Sequence, residues 1–346
     1  MERAIITVDG VSVHAIEAGV ERGQIFAESQ NLARDLTNTP ANHMTPTILA
    51  EKAKEIARAQ QMDIDILEKE QLQELNMGAF LGVAQGSSEP PKMIVLKHLG
   101  APECKDVIGL VGKGITFDAG GIQIKPEKDM DEMKGDMAGA AAVLAAMNAI
   151  GTLKPHINVM AVIPACENMV SGQAMHPGDV VDTFSGKTVE IKHTDAEGRL
   201  ILADAISYAK YLGATKLVDV ATLTGSIISA LGYSTTGVFT NNPAWKKEVF
   251  EAAQISGEKV WELPLDEDYE ELVKSDFADL KNDADWGAGA IQGGMFLKQF
   301  AGDTPWVHLD IAGTADVKET KGVHAKGATG EMVRTLISLA IRFGGM

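Results

Sequence analysis

The chain has 346 residues, with 31 lysines and arginines against 48 aspartates and glutamates, giving a formal net charge of −17 at pH 7. That balance argues against nucleic acid as a main partner, because phosphate binding needs clustered cations, and equally against an anionic membrane surface. At 45% hydrophobic and 23% charged residues the composition is globular, which excludes a collagen, a coiled coil and a disordered chain. The two cysteines, Cys104 and Cys166, lie far apart and form no CxxC pair, so neither a disulfide scaffold nor a thiolate zinc site is expected. The start, MERAIITVDG, has no apolar signal core, and residues 138–150, the most apolar stretch, are too few to span a bilayer. A cytoplasmic location is the expectation.

In chain order, AIITV and VSVHAI flank Asp9-Gly10, a hairpin signal. Residues 1–20 are thus expected to form a short N-terminal hairpin and residues 21–346 one domain. From Glu21 onward, Ile25, Leu32 and Leu36 follow a helical period that stops at Thr39-Pro40. A second helix is expected from about 46 to 59, with Thr45 as N-cap and Pro46 at the first helical position. Short apolar runs follow: MIVLKHL, DVIGLVG, NVMAVIPA, KLVDVATL and WVHLDIAG. They alternate with expected helices at 136–150, 199–212, 243–255 and 329–342. Continuous apolar strands between helices predict an α/β fold with a central, mostly parallel, mixed sheet flanked by helices.

Between Gly109 and Asp136, GLVGKGITFDAGGIQIKPEKDMDEMKGD places charges where a buried strand is expected. Lys113 and Asp118 lie in or beside the apolar, glycine-rich run, and Lys125 closes GIQIK. A buried charge is costly unless it is paired or bound to a metal; strand ends pointing into water are the alternative. Asp136 stands at the mouth of an Ala-rich helix, where a carboxylate suits the helix terminus and would also serve as an N-cap. In HTDAEGRL, residues 193–200, Asp195, Glu197 and Arg199 are spaced by two. An extended backbone would project all three to one side, and a solvated turn is the other reading.

Together Asp118, Asp136, Asp195 and Glu197 bring four carboxylates to one sheet edge, a charge that demands cations. Oxygen-rich ligand sets suit Mg²⁺, Mn²⁺ or Zn²⁺, and two divalent ions would balance the four charges, as in a two-metal hydrolase. A phosphoryl transferase would want a phosphate loop, yet no GxxxxGK[ST] occurs; the eight histidines form no HExxH. A fold without catalysis would show a lost motif residue, and each of these side chains is present.

HTDAEGRL resembles the NTDAEGRL signature of the cytosol (leucyl) aminopeptidases, the M17 metallopeptidases. GKGITFDAGGIQIKP followed by MKGDMAGAAAV resembles their metal-binding segment, and NTPANHMTP, ATLTG and HLDIAGTA match further blocks. The similarity covers about residues 24–343. His193 stands where the family usually has Asn, and a local effect is expected. The family normally carries an N-terminal domain of roughly 150 residues, where about twenty stand here.

The resemblance implies a zinc-exopeptidase-like catalytic domain with two Zn²⁺ or Mn²⁺ ions. One would sit on Lys113, Asp118, Asp136 and Glu197, the other on Asp118, Asp195, Glu197 and the Asp195 carbonyl. It implies that Lys125 steadies the charge developing on the peptide carbonyl and that Arg199 holds bicarbonate as general base. For the substrate it implies the Leu223 carbonyl as acceptor for the free α-amine, with Thr222 beside it. Gly225 would shape the pocket floor, and Met133 and Ala312 its apolar wall. The expected activity is release of leucine-like and other apolar N-terminal residues from peptides, by a homohexamer of two trimers.

Overall fold

The computed structural model describes residues 12–284, 287–320, 322 and 324–344. The first half contains α1 (Val13–Asn38), α2 (Pro46–Gln60), β1 (Asp63–Leu67), α3 (Lys69–Glu74), α4 (Gly78–Ala84), β2 (Lys92–Leu99), β3 (Val107–Gly112), β4 (Gly114–Asp118), α5 (Ala138–Leu153) and β5 (Asn158–Asn168). Then come β6 (Val180–Asp182), β7 (Thr188–Glu190), α6 (Glu197–Tyr211), β8 (Lys216–Ala221), α7 (Gly225–Leu231), β9 (Thr236–Thr240), α8 (Pro243–Ser256) and β10 (Val260–Glu262). The chain continues through β11 (Leu280–Lys281), α9 (Gly289–Ala301), β12 (Trp306–Asp310), β13 (Asp316–Val317), β14 (Gly327–Ala328) and α10 (Val333–Gly344).

Nine strands of the described residues form one mixed sheet in the order β1-β2-β5-β3-β8-β12-β9-β10, with β4 continuing β3 and pairing with β5. Its centre, β5-β3-β8-β12, is parallel; β1, β2 and β9 run antiparallel to their inner neighbours. The expected α/β class and mixed sheet are therefore what the chain adopts. Alternation along each strand feeds two cores. Ile94, Leu96, Val159, Ala161, Val218 and Val220 pack with α1, α2, α5, α8 and α10 on one face. Met93, Val95, Met160, Val162, Leu217 and Ala221 pack with α4, α6 and α9 on the other. Helix α5, AGAAAVLAAMNAIGTL, lies almost wholly inside the first core. Its small residues let it press onto the sheet: a Cβ at Gly139 would stand 2.0 Å from the Val220 carbonyl oxygen.

Thr45 caps α2 as expected, accepting from the Ile48 N–H, with Pro46 at the helix start. The hairpin expectation needs correction. Residues 13–16, its second strand, are the first turn of α1; its first strand and the Asp9-Gly10 turn lie outside the described residues. A lone hairpin is marginal without a third strand, whereas residues 13–24 extend a helix already anchored by buried Ser29, Ala33, Leu36 and Thr37, and propagation is far easier than nucleation.

Candidate active site

Strand β3 is paired on both sides, but its continuation β4 pairs with β5 alone. The sheet therefore opens beyond Gly112, at the C-terminal ends of its parallel strands, where α/β folds place their ligand crevices. Lys113 sits at the fork. Its backbone is fixed by bonds from its N–H to the Val220 carbonyl and from the Ala140 N–H to its own carbonyl. Into the opening come Asp118 from the end of β4, Asp136 from the turn before α5, Asp195 and Glu197 from the loop entering α6, and Thr222 and Leu223 after β8. The resulting cleft has a volume of about 560 Å³ and is lined by all the expected ligands, by Lys125, and by Met133, Thr222, Leu223, Gly225 and Ala312.

Lys113 Nζ lies 2.8 Å from carboxylate oxygens of both Asp136 and Glu197 and donates to the Thr222 carbonyl at 2.9 Å. Lys125 Nζ lies 2.7 Å from Asp118 Oδ2 and 2.6 Å from Asp195 Oδ1. Oxygens of Asp118, Asp195 and Glu197 all fall within 4.8 Å of one another. A Cβ at position 198 would strike Lys113 Cε at 2.6 Å, so Gly198 makes room for that lysine. Four carboxylates thus face two ammoniums. Burial opposes the charge on Lys113, but Asp136, Glu197 and Asp118 outweigh it and raise its pKa. Lys125 is raised in the same way, with Asp118 the leading carboxylate. Burial, with Glu197 and Asp118 adding to it, pushes Asp136 up to about 8 despite Lys113, and burial with Glu197 also raises Asp195.

The donor chemistry fits divalent cations. Glu197 Oε2 is buried with no hydrogen-bond partner among the described residues, and Asp136 Oδ2 and Asp195 Oδ1 meet only a lysine without hydrogen-bond geometry. Buried carboxylate oxygens left this way are expected to coordinate something.

Two expectations change. Asp136 caps no helix: its Oδ1 accepts from Lys113 and from the Thr222 hydroxyl. The other is the extended reading of residues 195–199. Helix α6 begins at Glu197, so the backbone is not extended through Arg199. The guanidinium is buried, with Nη1 donating to the Asn282 carbonyl at 2.6 Å and lying 3.9 Å from Asp283. Burial lowers its pKa, partly offset by Asp283, Glu197 and Asp310. His193 Nδ1 accepts from the Asp195 N–H at 3.1 Å, as an Asn side-chain oxygen does in an Asx turn.

Sequence reasoning missed the residues that hold these ligands in place. Asn168 Nδ2 donates to Asp118 Oδ1 and to the Thr194 carbonyl. Fully buried Asn282, just after β11, accepts through Oδ1 from the Lys192 and His193 N–H groups and donates through Nδ2 to the His193 and Ala196 carbonyls. Its backbone also takes Arg199. One residue therefore fixes the loop of Asp195 and Glu197 through its side-chain amide and the guanidinium through its backbone carbonyl, and no charge or spacing in ADLKND signals it.

Residues 31–337 match the catalytic domain of the cytosol aminopeptidase family. The chain belongs to that family. It is 54% identical over 324 residues to a probable cytosol aminopeptidase of Alkaliphilus oremlandii and 53% identical over 325 residues to one of Alkaliphilus metalliredigens, each over 94% of this chain. It spans about 65% of the length of those relatives. Among solved structures, the bottromycin maturation enzyme BotP in complex with Mn superposes with a TM-score of 0.91 at 39% identity, over 95% of this chain and 72% of that one.

Proposed function

We propose that the chain is a metal-dependent aminopeptidase that releases N-terminal amino acids, leucine-like and other apolar residues foremost, from peptides. The observation that carries the reading is the convergence of Asp118, Asp195 and Glu197 oxygens within 4.8 Å, beside two lysines, at the open end of the sheet of a cytosol aminopeptidase family member. Lys113, Asp118, Asp136, Asp195 and Glu197 would hold two divalent cations, with Asp118 and Glu197 shared. The manganese named for the BotP complex favours Mn²⁺, and Zn²⁺ suits the same ligands. When bound, such a pair supplies Lewis acidity toward the peptide carbonyl and lowers the pKa of a water.

The chain's own groups do the rest. The Lys125 ammonium, kept charged by Asp118, donates to the carbonyl oxygen as negative charge grows there. The Leu223 carbonyl accepts from the free α-amine, and Thr222 steadies that loop through Asp136. Met133, Gly225 and Ala312 bound the side-chain pocket. Arg199 keeps only Nη1 occupied within the described residues, and its remaining N–H groups suit a small planar oxyanion; bicarbonate there is the proposed general base. The reading extends to a cytosolic location, in keeping with the relatives' names, and to a homohexamer of two stacked trimers.

The test uses the chain reconstituted with Mn²⁺ or Zn²⁺, comparing leucine p-nitroanilide with its N-acetyl derivative. Hydrolysis of the free amine and none of the blocked compound is expected. Similar rates on both would overturn the reading, and light scattering decides the assembly.

A further inference from the structure

Asp310, the last residue of β12, is buried and stands outside the cation cluster. Its Oδ1 accepts from the backbone N–H groups of Leu223 at 3.1 Å and Ala312 at 3.2 Å, and its Oδ2 accepts from the Thr224 hydroxyl at 2.7 Å. Leu223 and Ala312 both line the cleft. One comes from the loop after β8 and the other from the turn after β12, so one carboxylate ties two walls to each other. The β8 loop is pinned from its other side as well: the Thr222 carbonyl accepts from Lys113, and the Thr222 hydroxyl donates to Asp136. The backbone ladder between β8 and β12 ends with the Ile311 N–H on the Ala221 carbonyl, and beyond it Asp310 holds Leu223 and Ala312 at their separation.

We propose that Asp310 is a positioning residue that fixes the width of the pocket receiving the substrate's N-terminal side chain, and so sets which side chains are accepted. It does so without touching substrate or cation. The proposal rests on the aminopeptidase reading. Geometry rather than charge is the requirement. In Asp310→Asn the amide oxygen still accepts both N–H groups and the amide nitrogen donates to the Thr224 hydroxyl, which can accept. In Asp310→Ala all three contacts are lost.

The experiment measures kcat and KM of the Mn²⁺-loaded chain on glycyl, alanyl, leucyl and phenylalanyl p-nitroanilides. It also follows amide exchange at Leu223 and Ala312 and Mn²⁺ affinity by calorimetry. Asp310→Ala should lower kcat/KM for the leucyl substrate roughly 10- to 100-fold, mainly through KM. It should also narrow the leucyl-over-glycyl ratio, speed exchange at both amides and leave Mn²⁺ affinity unchanged. Asp310→Asn should restore the ratio. Thr224→Val, which removes the Oδ2 contact together with the Thr224 cap on the Ile227 N–H of α7, should shift the ratio less in the same direction and serves if Asp310→Ala fails to fold. An unchanged ratio with unchanged exchange, in Asp310→Ala or, failing that, in Thr224→Val, overturns the proposal. If the unmodified chain cleaves none of the four compounds, the aminopeptidase reading fails instead, and exchange at Leu223 and Ala312 still decides whether Asp310 holds the walls.

Discussion

Removing the Asn282 carboxamide should loosen the cation site without deleting a ligand. The side chain makes hydrogen bonds to the N–H groups of Lys192 and His193 and to the carbonyls of His193 and Ala196, at 2.7, 3.2, 2.7 and 3.3 Å. At about 1 kcal/mol net for each bond, their loss in Asn282→Ala comes to about 4 kcal/mol. Water entering the vacated space beside exposed Lys192 would bring this nearer 2 kcal/mol. The loop that loses its restraint carries Asp195 and Glu197. Partners that orient metal ligands typically contribute about 10- to 100-fold in metal affinity, and that is the expected loss for Mn²⁺. Calorimetric titration of the metal-free protein reads it directly, with circular dichroism to check the fold. Asn282→Asp separates acceptance from donation: it keeps the oxygen for Lys192 and His193 but turns a second oxygen toward two carbonyls, so it should weaken Mn²⁺ binding as well. A folded Asn282→Ala protein with unaltered Mn²⁺ affinity would refute this account of the loop.

Glu197→Ala should lower bound metal and turnover together, because Glu197 faces both Lys113 and the Asp118–Asp195 cluster; Lys125→Ala should keep its metal and lose kcat, since it acts on developing charge, and elemental analysis beside kinetics separates the two. A third prediction concerns pH. Asp204 on α6 accepts from the Phe80 and Phe184 N–H groups, yet burial pushes its carboxyl up to about 7, from roughly 3.9 in an unfolded chain. A raised folded value means the proton binds more tightly in the native state. The stabilisation is therefore complete below about pH 4 and is lost as pH rises through about 7, about 4 kcal/mol in all. Urea unfolding from pH 5 to 8 should show the wild type losing stability relative to Asp204→Asn, and parallel curves would count against it.

The central strands were readable because burial on both faces makes them continuous apolar runs, and α2 because Thr45 and Pro46 announce its start. The small elements were not. β6, β7 and β11 have two or three residues each, too short for a pattern; β6 and β7 pair locally, and β11 joins β7 from a segment distant in sequence. Helix α9, GAIQGGMFLKQFA, opens on glycine and carries a Gly-Gly pair because its backbone must approach other side chains closely. A Cβ at Gly294 would stand 2.8 Å from the Phe239 ring. Local propensity reads such a segment as a loop.

At the site, what could be read was charge out of place. Lysines and aspartates inside an apolar glycine-rich run ask for partners, and Lys113, Asp118, Lys125, Asp136, Asp195 and Glu197 do converge on one cleft. The misreading lay in treating residues 195–199 as extended. With α6 beginning at Glu197, two residues of helix turn the side chain by roughly 200°, and the guanidinium donates to the Asn282 carbonyl. Asn168 and Asn282, which hold the ligands, and Asp310, which bonds to Leu223, gave no sign because these partners lie far away in sequence. Charge imbalance explains why the lysines are there at all. Four carboxylates gathered at one strand fork would repel one another through folding; Lys113 and Lys125 bridge them in pairs. In the cation-free cluster the lysines thus act as internal counter-ions that offset part of the negative charge.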